Sequence, residues 1–169
     1  MNKPSQVIED SLSPSYNQGM SESAAPVSEK RILICGDRNW TDERIIRRLL
    51  EHQPSGTVVI EGEGRGADRI AAKAATDLGL AVERYPAQWD QHGRRAGPIR
   101  NQQMLDEGRP TVVVGFHEDI ATSKGTTHML RIALGAGVPT YLFDADHVFK
   151  PLSLDLLKDL TQPLSSPGI

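Results

Sequence analysis

The sequence predicts an α/β fold in which a single parallel sheet of about five strands is covered by helices on both faces. Short apolar runs alternate along the chain with segments of helical periodicity, which is the pattern of repeated strand–helix–strand units. A polar, glycine-containing loop follows most of the apolar runs. Together these observations indicate a Rossmann-like, doubly wound sheet.

Five apolar runs are predicted as strands, and the amphipathic segments between them as helices. The first run is apolar from Ile32 to Cys35, as expected for a central strand that is buried on both faces. The five predicted strands are residues 31–35, 57–60, 81–85, 111–114 and 140–143. The predicted helices between them are residues 41–52, 65–78, 98–106 and 126–134.

The chain divides into three regions. Residues 1–29 are rich in polar residues and proline and carry few large apolar side chains, so they cannot bury enough surface to offset their ordering entropy. We therefore expect a disordered N-terminal arm. Residues 30–145 carry nearly all of the periodic signal and form the predicted domain. Residues 146–169 hold a short amphipathic helix, predicted over residues 152–160, and a frayed tail.

The composition restricts the classes of function. A net charge of -3 and a sequence pI near 5.9 argue against a nucleic-acid partner that is held by nonspecific charge. The single cysteine, Cys35, excludes an internal disulfide, and no apolar run approaches the ~18 residues that cross a bilayer. We therefore expect a cytoplasmic protein without a membrane partner. The histidines lack the spacing of metal ligands, which predicts no metal site.

The unusual residues of the chain cluster in four loops, each of which follows a predicted strand. Because the carboxyl ends of parallel strands meet at one edge of the sheet, we expect these loops to lie together there. Ligands of open α/β sheets bind at this edge, near the topological switch point. The loops are GDRNW (residues 36–40), GEGRGAD (62–68), PAQWDQHGRRAGPIRN (86–101) and GFHEDIATSKGTT (115–127).

These loops carry the groups that a nucleotide requires. Guanidinium and ammonium groups suit phosphate, and backbone N–H groups at the glycine-rich helix starts would add neutral donors. Asp37 and Asp68 suit ribose hydroxyls, and Trp40 or Trp89 suits stacking on a base. The predicted cations are Arg38, Arg65, Arg94, Arg95, Arg100 and Lys124. The full set of predicted binding residues is Gly36, Asp37, Arg38, Trp40, Gly62, Gly64, Arg65, Gly66, Asp68, Trp89, Arg95, Arg100, Asn101, Ser123, Lys124, Gly125 and Thr126.

Structural interpretations of the same residues stay open. The arginines also suit a solvated surface, Asp37 and Asp42 also suit helix capping, and Trp40 also suits packing. Cys35 lies within an apolar strand and is interpreted as core. The loops contain neither the GxxxxGK[ST] phosphate loop nor the GxGxxG fingerprint, and no hydrolase triad is evident around Ser123.

The four loop motifs, taken in order, resemble the YspA/YpsA-related branch of the SLOG superfamily. The resemblance runs over residues 31–143, through GDRNWTD, GEGRGADRIAAKAA, YPAQWDQHGRRAGPIRNQQM and SKGTTHMLRIALGAGVP. It implies a Rossmann-like domain that requires no cofactor and binds a nucleotide-derived ligand, either ADP-ribose- or NAD-like or a nucleoside phosphate. The family carries glycine or a small residue where this chain has Glu63, which implies a weakened affinity for a highly charged polyphosphate.

A more distant similarity connects the chain to the LOG phosphoribohydrolases of the same superfamily, which cleave the glycosidic bond of nucleoside monophosphates. Arg100 and Asn101 match their first motif, and residues 124–126 match part of the second, which implies phosphate binding at these positions. His128 and Met129 stand where these enzymes carry glutamate. The carboxylate that would stabilise an oxocarbenium-like state is therefore missing from its expected place.

Three functional hypotheses follow. The leading one is binding of a small-molecule nucleotide derivative by a sensor or sequestering module, with a homo-oligomer left open. The second is an N-glycosidase that uses Asp68, Glu61 or Glu63 as its acid, for which Arg100 and Asp68 are the catalytic candidates. The third is a nucleic-acid-processing accessory similar to DprA, which the acidic net charge disfavours. The sequence does not decide between binder and enzyme.

Overall fold

The structure is a computed structural model that describes residues 29–162. Within them six strands form one sheet, and these are β1 (Arg31–Gly36), β2 (Val58–Glu61), β3 (Ala81–Arg84), β4 (Val112–Phe116), β5 (Thr140–Phe143) and β6 (Phe149–Pro151). The strand order in the sheet is β3-β2-β1-β4-β5-β6. Apart from Glu29 and Gln162, the predicted disordered arm and the predicted frayed tail lie outside the described residues.

The first five strands are parallel, and β6 adds to β5 in the antiparallel direction. The chain proceeds outward from β1 to β3, then returns to place β4 on the other side of β1. This reversal creates a topological switch point between β1 and β4. The predicted α/β fold with a Rossmann-like arrangement is thereby confirmed, with one strand more than the predicted five.

The helices cover both faces of the sheet. They are α1 (Glu43–Glu51), α2 (Ala67–Asp77), α3 (Trp89–His92), α4 (Ala96–Asp106), α5 (Lys124–Gly135) and α6 (Leu154–Thr161), with 3-10 turns at Gly93–Arg95 and Ile120–Thr122. α1 and α2 pack on one face, and α4, α5 and α6 pack on the other. Among residues 29–162, no helix combines the length and the apolar character needed to cross a membrane.

Alternate residues of β1 contribute to the two halves of the core. Ile32 and Ile34 pack in the cluster that contains α1 and α2, whereas Leu33 and Cys35 pack in the cluster that contains α4 and α5. All four side chains are buried. A strand that faces helices on both sides needs no polar face, which explains the uninterrupted apolar run in the sequence.

Local side chains fix the starts of two helices. Asp42 caps α1 by accepting a hydrogen bond from the Arg44 N–H at 3.0 Å. Ser123 caps α5 in the same way, through the Thr126 N–H at 3.1 Å. Caps of this kind stabilise a helix by about 1 kcal/mol. Because Asp42 is the cap, α1 begins at Glu43, two residues after its predicted start.

The structure adds elements that the sequence pattern did not predict. β6 has three residues, and its pairing places Pro151 opposite Tyr141 and Phe149 opposite Phe143. α3 and the 3-10 turn that follows it precede α4, which begins at Ala96 rather than at Pro98. Runs of three or four residues are too short for a period to appear in the sequence.

Candidate functional site

A cavity of about 730 Å³ opens at the carboxyl edge of the sheet, where the four loops come together. We call it the rim cavity. Its walls are the segments that follow β1, β2 and β3, together with α4 and the segment that joins β4 to α5. The predicted binding residues that line it are Gly36, Asp37, Arg38, Gly62, Gly64, Arg65, Asp68, Trp89, Arg100, Asn101, Ser123, Lys124, Gly125 and Thr126.

The glycine-rich loop after β2 is supported by Asp68. Its Oδ2 atom accepts hydrogen bonds from the backbone N–H groups of Gly62 and Gly64, both at 3.2 Å. Burial raises the pKa of Asp68, while the Arg100 charge and these two N–H groups oppose the rise. One oxygen of Asp68 is therefore committed to the loop, which leaves the other for any role toward a ligand.

The last glycine of this loop, Gly66, has a steric role. Its φ of 71° is in the left-handed region, and a Cβ at this position would overlap the Asp37 carbonyl oxygen and the Arg38 backbone. The next residue, Ala67, donates its N–H to that same Asp37 oxygen at 3.1 Å. Gly66 thus lies outside the lining of the rim cavity and allows the turn after β1 to contact the start of α2.

Arg100 joins the glycine-rich loop to α4. Its guanidinium donates to the carbonyl oxygen of Gly62, and its Nε donates to Asn101 Oδ1 at 3.0 Å. Asn101 is buried, and its Nδ2 donates to the Gly125 carbonyl oxygen and to His128 Nδ1, both at 3.2 Å. Burial lowers the pKa of His128, consistent with a neutral acceptor. His128, at the expected place of the LOG glutamate, therefore positions Asn101 and does not line the rim cavity.

The N-terminus of α5 contributes backbone donors to the rim cavity, which residues 123–126 line. The side chain of Ser123 is already bonded to the Thr126 N–H. A Cβ placed on Gly125 would meet no atom within 4 Å, so the space in front of this turn is open. The partial positive charge of a helix N-terminus makes this a favourable position for an anion.

The rim cavity is lined by more cations than carboxylates. Four cations line it, and none of them forms a salt bridge within the described part of the chain. A ligand of negative charge would therefore not have to break a salt bridge to reach these cations. The four cations are Arg38, Arg65, Arg100 and Lys124, and the carboxylates of the lining are Asp37, Glu63 and Asp68.

Trp89 provides the rim cavity with an accessible aromatic surface. Its side chain is 48% exposed, on the short helix α3. The Arg38 guanidinium carbon lies 5.7 Å from the centroid of the indole ring, within the range of a cation–π interaction. A flat ring beside a cation is a suitable surface for stacking a planar group.

The structure corrects the interpretation of Trp40 as a stacking residue. Trp40 is buried, and its ring packs against those of Phe116 and Phe143, with centroid separations of 5.6 and 6.0 Å. Its indole N–H donates to the Asp42 carbonyl oxygen at 2.9 Å. Trp40 is thus part of the core, and it does not line the rim cavity.

Two other predicted residues also lie outside the rim cavity. Arg95 belongs to the 3-10 turn before α4 and is exposed on the surface. Glu61, a proposed acid of the glycosidase hypothesis, lines a second cavity of about 500 Å³ together with Arg84 and residues of α2. Glu63 lines both cavities, and its φ of 56° lies in the left-handed region that favours glycine.

His117 is a lining residue that the sequence hypothesis did not single out. It follows β4 directly, is only 7% exposed, and accepts a hydrogen bond at Nδ1 from the Asp119 N–H at 3.1 Å. Its place in the GFHED segment at a strand end was the available signal. Within residues 29–162, no group of three or more His, Cys, Asp or Glu side chains is arranged to hold a metal ion.

A Rossmann-like sheet with a glycine-rich loop and a polar cavity at its carboxyl edge is the architecture of a SLOG-type domain. The chain belongs to the YspA, cpYpsA-related SLOG family, whose model matches residues 30–92. It is 35% identical over 123 residues to the Gene 61 protein of Mycobacterium phage D29, an alignment that covers 68% of this chain and 96% of that protein.

The fold is also similar to that of a solved structure. The X-ray structure of DNA processing protein A (DprA) from Streptococcus pneumoniae matches with a TM-score of 0.58 and 14% sequence identity. The match covers 79% of this chain and 54% of that chain, so this protein spans about half the length of the DprA structure. At this identity the similarity shows a shared fold and carries no activity across.

Proposed function

We propose that the rim cavity binds a nucleotide or a nucleotide-derived small molecule, and that the protein acts as a sensor or sequestering module for it. The observation that carries this proposal is the meeting of four cations, without salt-bridge partners among residues 29–162, with a glycine-rich loop and a helix N-terminus. An anion, above all a phosphate, is the ligand that these groups share. A cavity of about 730 Å³ has the size of small-molecule sites.

The lining suggests how such a ligand would divide between the walls. Lys124 and the first turn of α5 form a wall of positive charge that suits the phosphate. Trp89 offers the stacking surface for the base, with Arg38 beside it. The family membership supports this arrangement, because the resemblance of the loop motifs implies a nucleotide-derived ligand.

Calorimetric titration with AMP, NAD and ADP-ribose tests the proposal. Lys124 is exposed and makes no side-chain hydrogen bond within residues 29–162, so Lys124→Ala removes a charge without removing a contact of the fold. The loss of a charge-assisted hydrogen bond of about 1.5–3 kcal/mol should weaken binding roughly tenfold to a hundredfold.

Arg48→Ala is the matched control, because Arg48 is exposed on α1 and does not line the rim cavity. It removes the same charge and should leave the affinity unchanged. Equal affinities of the two variants would contradict the placement of the phosphate at α5. Failure of the wild type to bind any of the three nucleotides would contradict the proposed function itself.

A second candidate function, N-glycosidic hydrolysis, is favoured by one observation. Asp68 lines the rim cavity, and burial raises its pKa, as a general acid requires. Incubation with AMP or NAD, followed by chromatography of free adenine or nicotinamide, separates this function from binding alone. Release that is lost in Asp68→Asn would establish the hydrolase. Tight binding without release would favour the binder.

A further inference from the structure

His117 presents a fixed hydrogen-bond donor to the rim cavity. Its Nδ1 accepts the Asp119 N–H at 3.1 Å, and a ring nitrogen that accepts a hydrogen bond carries no proton. The proton of the neutral ring is therefore on Nε2. His117 as a whole residue is only 7% exposed, lines the cavity, and has no acceptor for Nε2–H among residues 29–162.

Asp37 lies beside His117 at the switch point of the sheet. Gly36 of β1 pairs with Phe116 of β4, so Asp37 and His117 are the next residues on two neighbouring parallel strands, which lie about 4.8 Å apart. The Asp37 N–H donates to the Phe116 carbonyl oxygen at 2.8 Å, and the His117 N–H donates to the Phe143 carbonyl oxygen at 3.0 Å. Both backbones are therefore held in place before a ligand arrives.

The free groups of this pair are one donor and one acceptor. Asp37 Oδ1 accepts the Asn39 N–H at 2.9 Å, and Asp37 Oδ2 has no hydrogen-bond partner among the described residues. A hydroxyl group both accepts and donates, so it satisfies His117 Nε2–H and Asp37 Oδ2 together. An ionised phosphate only accepts, and the Asp37 carboxylate would repel it.

We propose that Asp37 and His117 form a hydroxyl-binding subsite, and that the ligand of the rim cavity is a ribonucleotide held through its sugar. This inference rests on the proposed function and deepens it. The two walls of the rim cavity then bind different parts of the ligand. The cations and the start of α5 hold phosphate, whereas the switch-point wall discriminates ribose from a sugar without hydroxyl groups.

The test compares adenosine and guanosine 5′-monophosphates with their 2′,3′-dideoxy analogues by calorimetry. The wild type should bind the ribonucleotide at least about tenfold more tightly than its dideoxy analogue, since one lost hydroxyl leaves a carboxylate and an N–H without partners. The preference should shrink severalfold in Asp37→Asn, which exchanges the charged acceptor for an amide.

Two substitutions of His117 separate its contact with a ligand from its support of the loop. Asparagine keeps an acceptor near the position of Nδ1, for the Asp119 N–H, and places nothing at Nε2. Glutamine can present an N–H near the position of Nε2 but leaves the Asp119 N–H without its acceptor. His117→Asn should therefore keep the melting temperature and lose the ribose preference, while His117→Gln should lower the melting temperature and keep most of the preference.

Three results would count against the subsite, and they are distinguishable. If the wild type binds ribo- and dideoxynucleotides equally, the subsite is overturned and nucleotide binding stands. If His117→Asn retains the full preference, His117 does not contact the sugar and the pairing is overturned. If the wild type binds neither class of nucleotide, the proposed function fails and the subsite fails with it.

Discussion

Replacement of Glu61 by glutamine should remove one pH-dependent contribution to folding stability. Glu61 is 1% exposed at the end of β2, and its Oε2 accepts the Glu63 N–H at 2.6 Å. Its Oε1 has no hydrogen-bond partner and lies 3.5 Å from Arg84 Nε. Burial raises the pKa of Glu61 from 4.5 to about 7, because a single ion pair at this distance does not compensate the loss of water.

The raised pKa fixes the sign of the effect. Between pH 4.5 and about 7 the folded protein holds a proton on Glu61 that the unfolded chain has released. The stability contributed by protonated Glu61 is therefore complete below 4.5 and is lost as the pH rises through 7. Each pKa unit corresponds to about 1.4 kcal/mol, which gives a loss of about 2.5 kcal/mol between about pH 5 and about pH 8.

Urea denaturation at these two pH values, followed by circular dichroism, measures the effect. Glutamine keeps a carbonyl oxygen for the Glu63 N–H but does not titrate. The unfolding free energy of Glu61→Gln, relative to the wild type, should rise by about 2.5 kcal/mol from about pH 5 to about pH 8. Titrating groups that do not interact with Glu61 are common to both proteins and cancel in this difference.

Glu118→Gln is the matched control, since Glu118 is exposed and forms no salt bridge within residues 29–162. Its stability relative to the wild type should not change with pH. If the stabilities of Glu61→Gln and the wild type follow parallel curves with pH, the assignment of a raised pKa to Glu61 is refuted.

Three further predictions concern stability and are measured by thermal or urea denaturation. Trp40→Ala should lower the unfolding free energy by about 3–5 kcal/mol, because it empties a buried aromatic site. Trp89→Ala should lower it by less than about 1 kcal/mol. Similar losses in the two variants would contradict the placement of Trp40 in the core. Gly66→Ala should cost more than about 1 kcal/mol because a Cβ collides with backbone at a positive φ, whereas Gly125→Ala, at an open helical position, should be neutral or stabilising. Loss of the cap in Ser123→Ala should cost about 1 kcal/mol, and an unchanged stability would show that the cap hydrogen bond is not formed in solution.

The fold was predictable where the signal is local and repeated. The buried run of β1, the alanine-rich α2 and the glycine-containing loops that follow most of the strands are each recognisable within a short stretch of sequence. Their alternation then fixes a doubly wound sheet, because parallel strands need helical crossovers. β6 was not predicted, because a strand of three residues at the sheet edge is too short to show a periodic pattern in the sequence. Its pairing with β5 holds it in place.

The candidate site was predictable only to the level of its loops. Strand ends specify which segments meet, but they do not specify the direction of each side chain. Trp40 lies three residues from Asp37, yet the turn between them places its ring in the core. The orientation of the His117 ring depends on a hydrogen bond from the Asp119 N–H, and its position next to Asp37 depends on the register of β4 with β1. Neither contact has a counterpart in the sequence pattern.

The separate environments of the two tryptophans give the protein two optical reporters. The chain has only Trp40 and Trp89, one packed among phenylalanine rings and the other beside Arg38 in the rim cavity. Indole emission depends on the polarity and the quenching groups around the ring. We therefore expect emission from Trp40 to report the opening of the core, and emission from Trp89 to report a ligand that enters the rim cavity. Trp89→Phe and Trp40→Phe isolate the two signals, so fluorescence titrations of the two variants can distinguish a ligand that enters the cavity from one that loosens the fold.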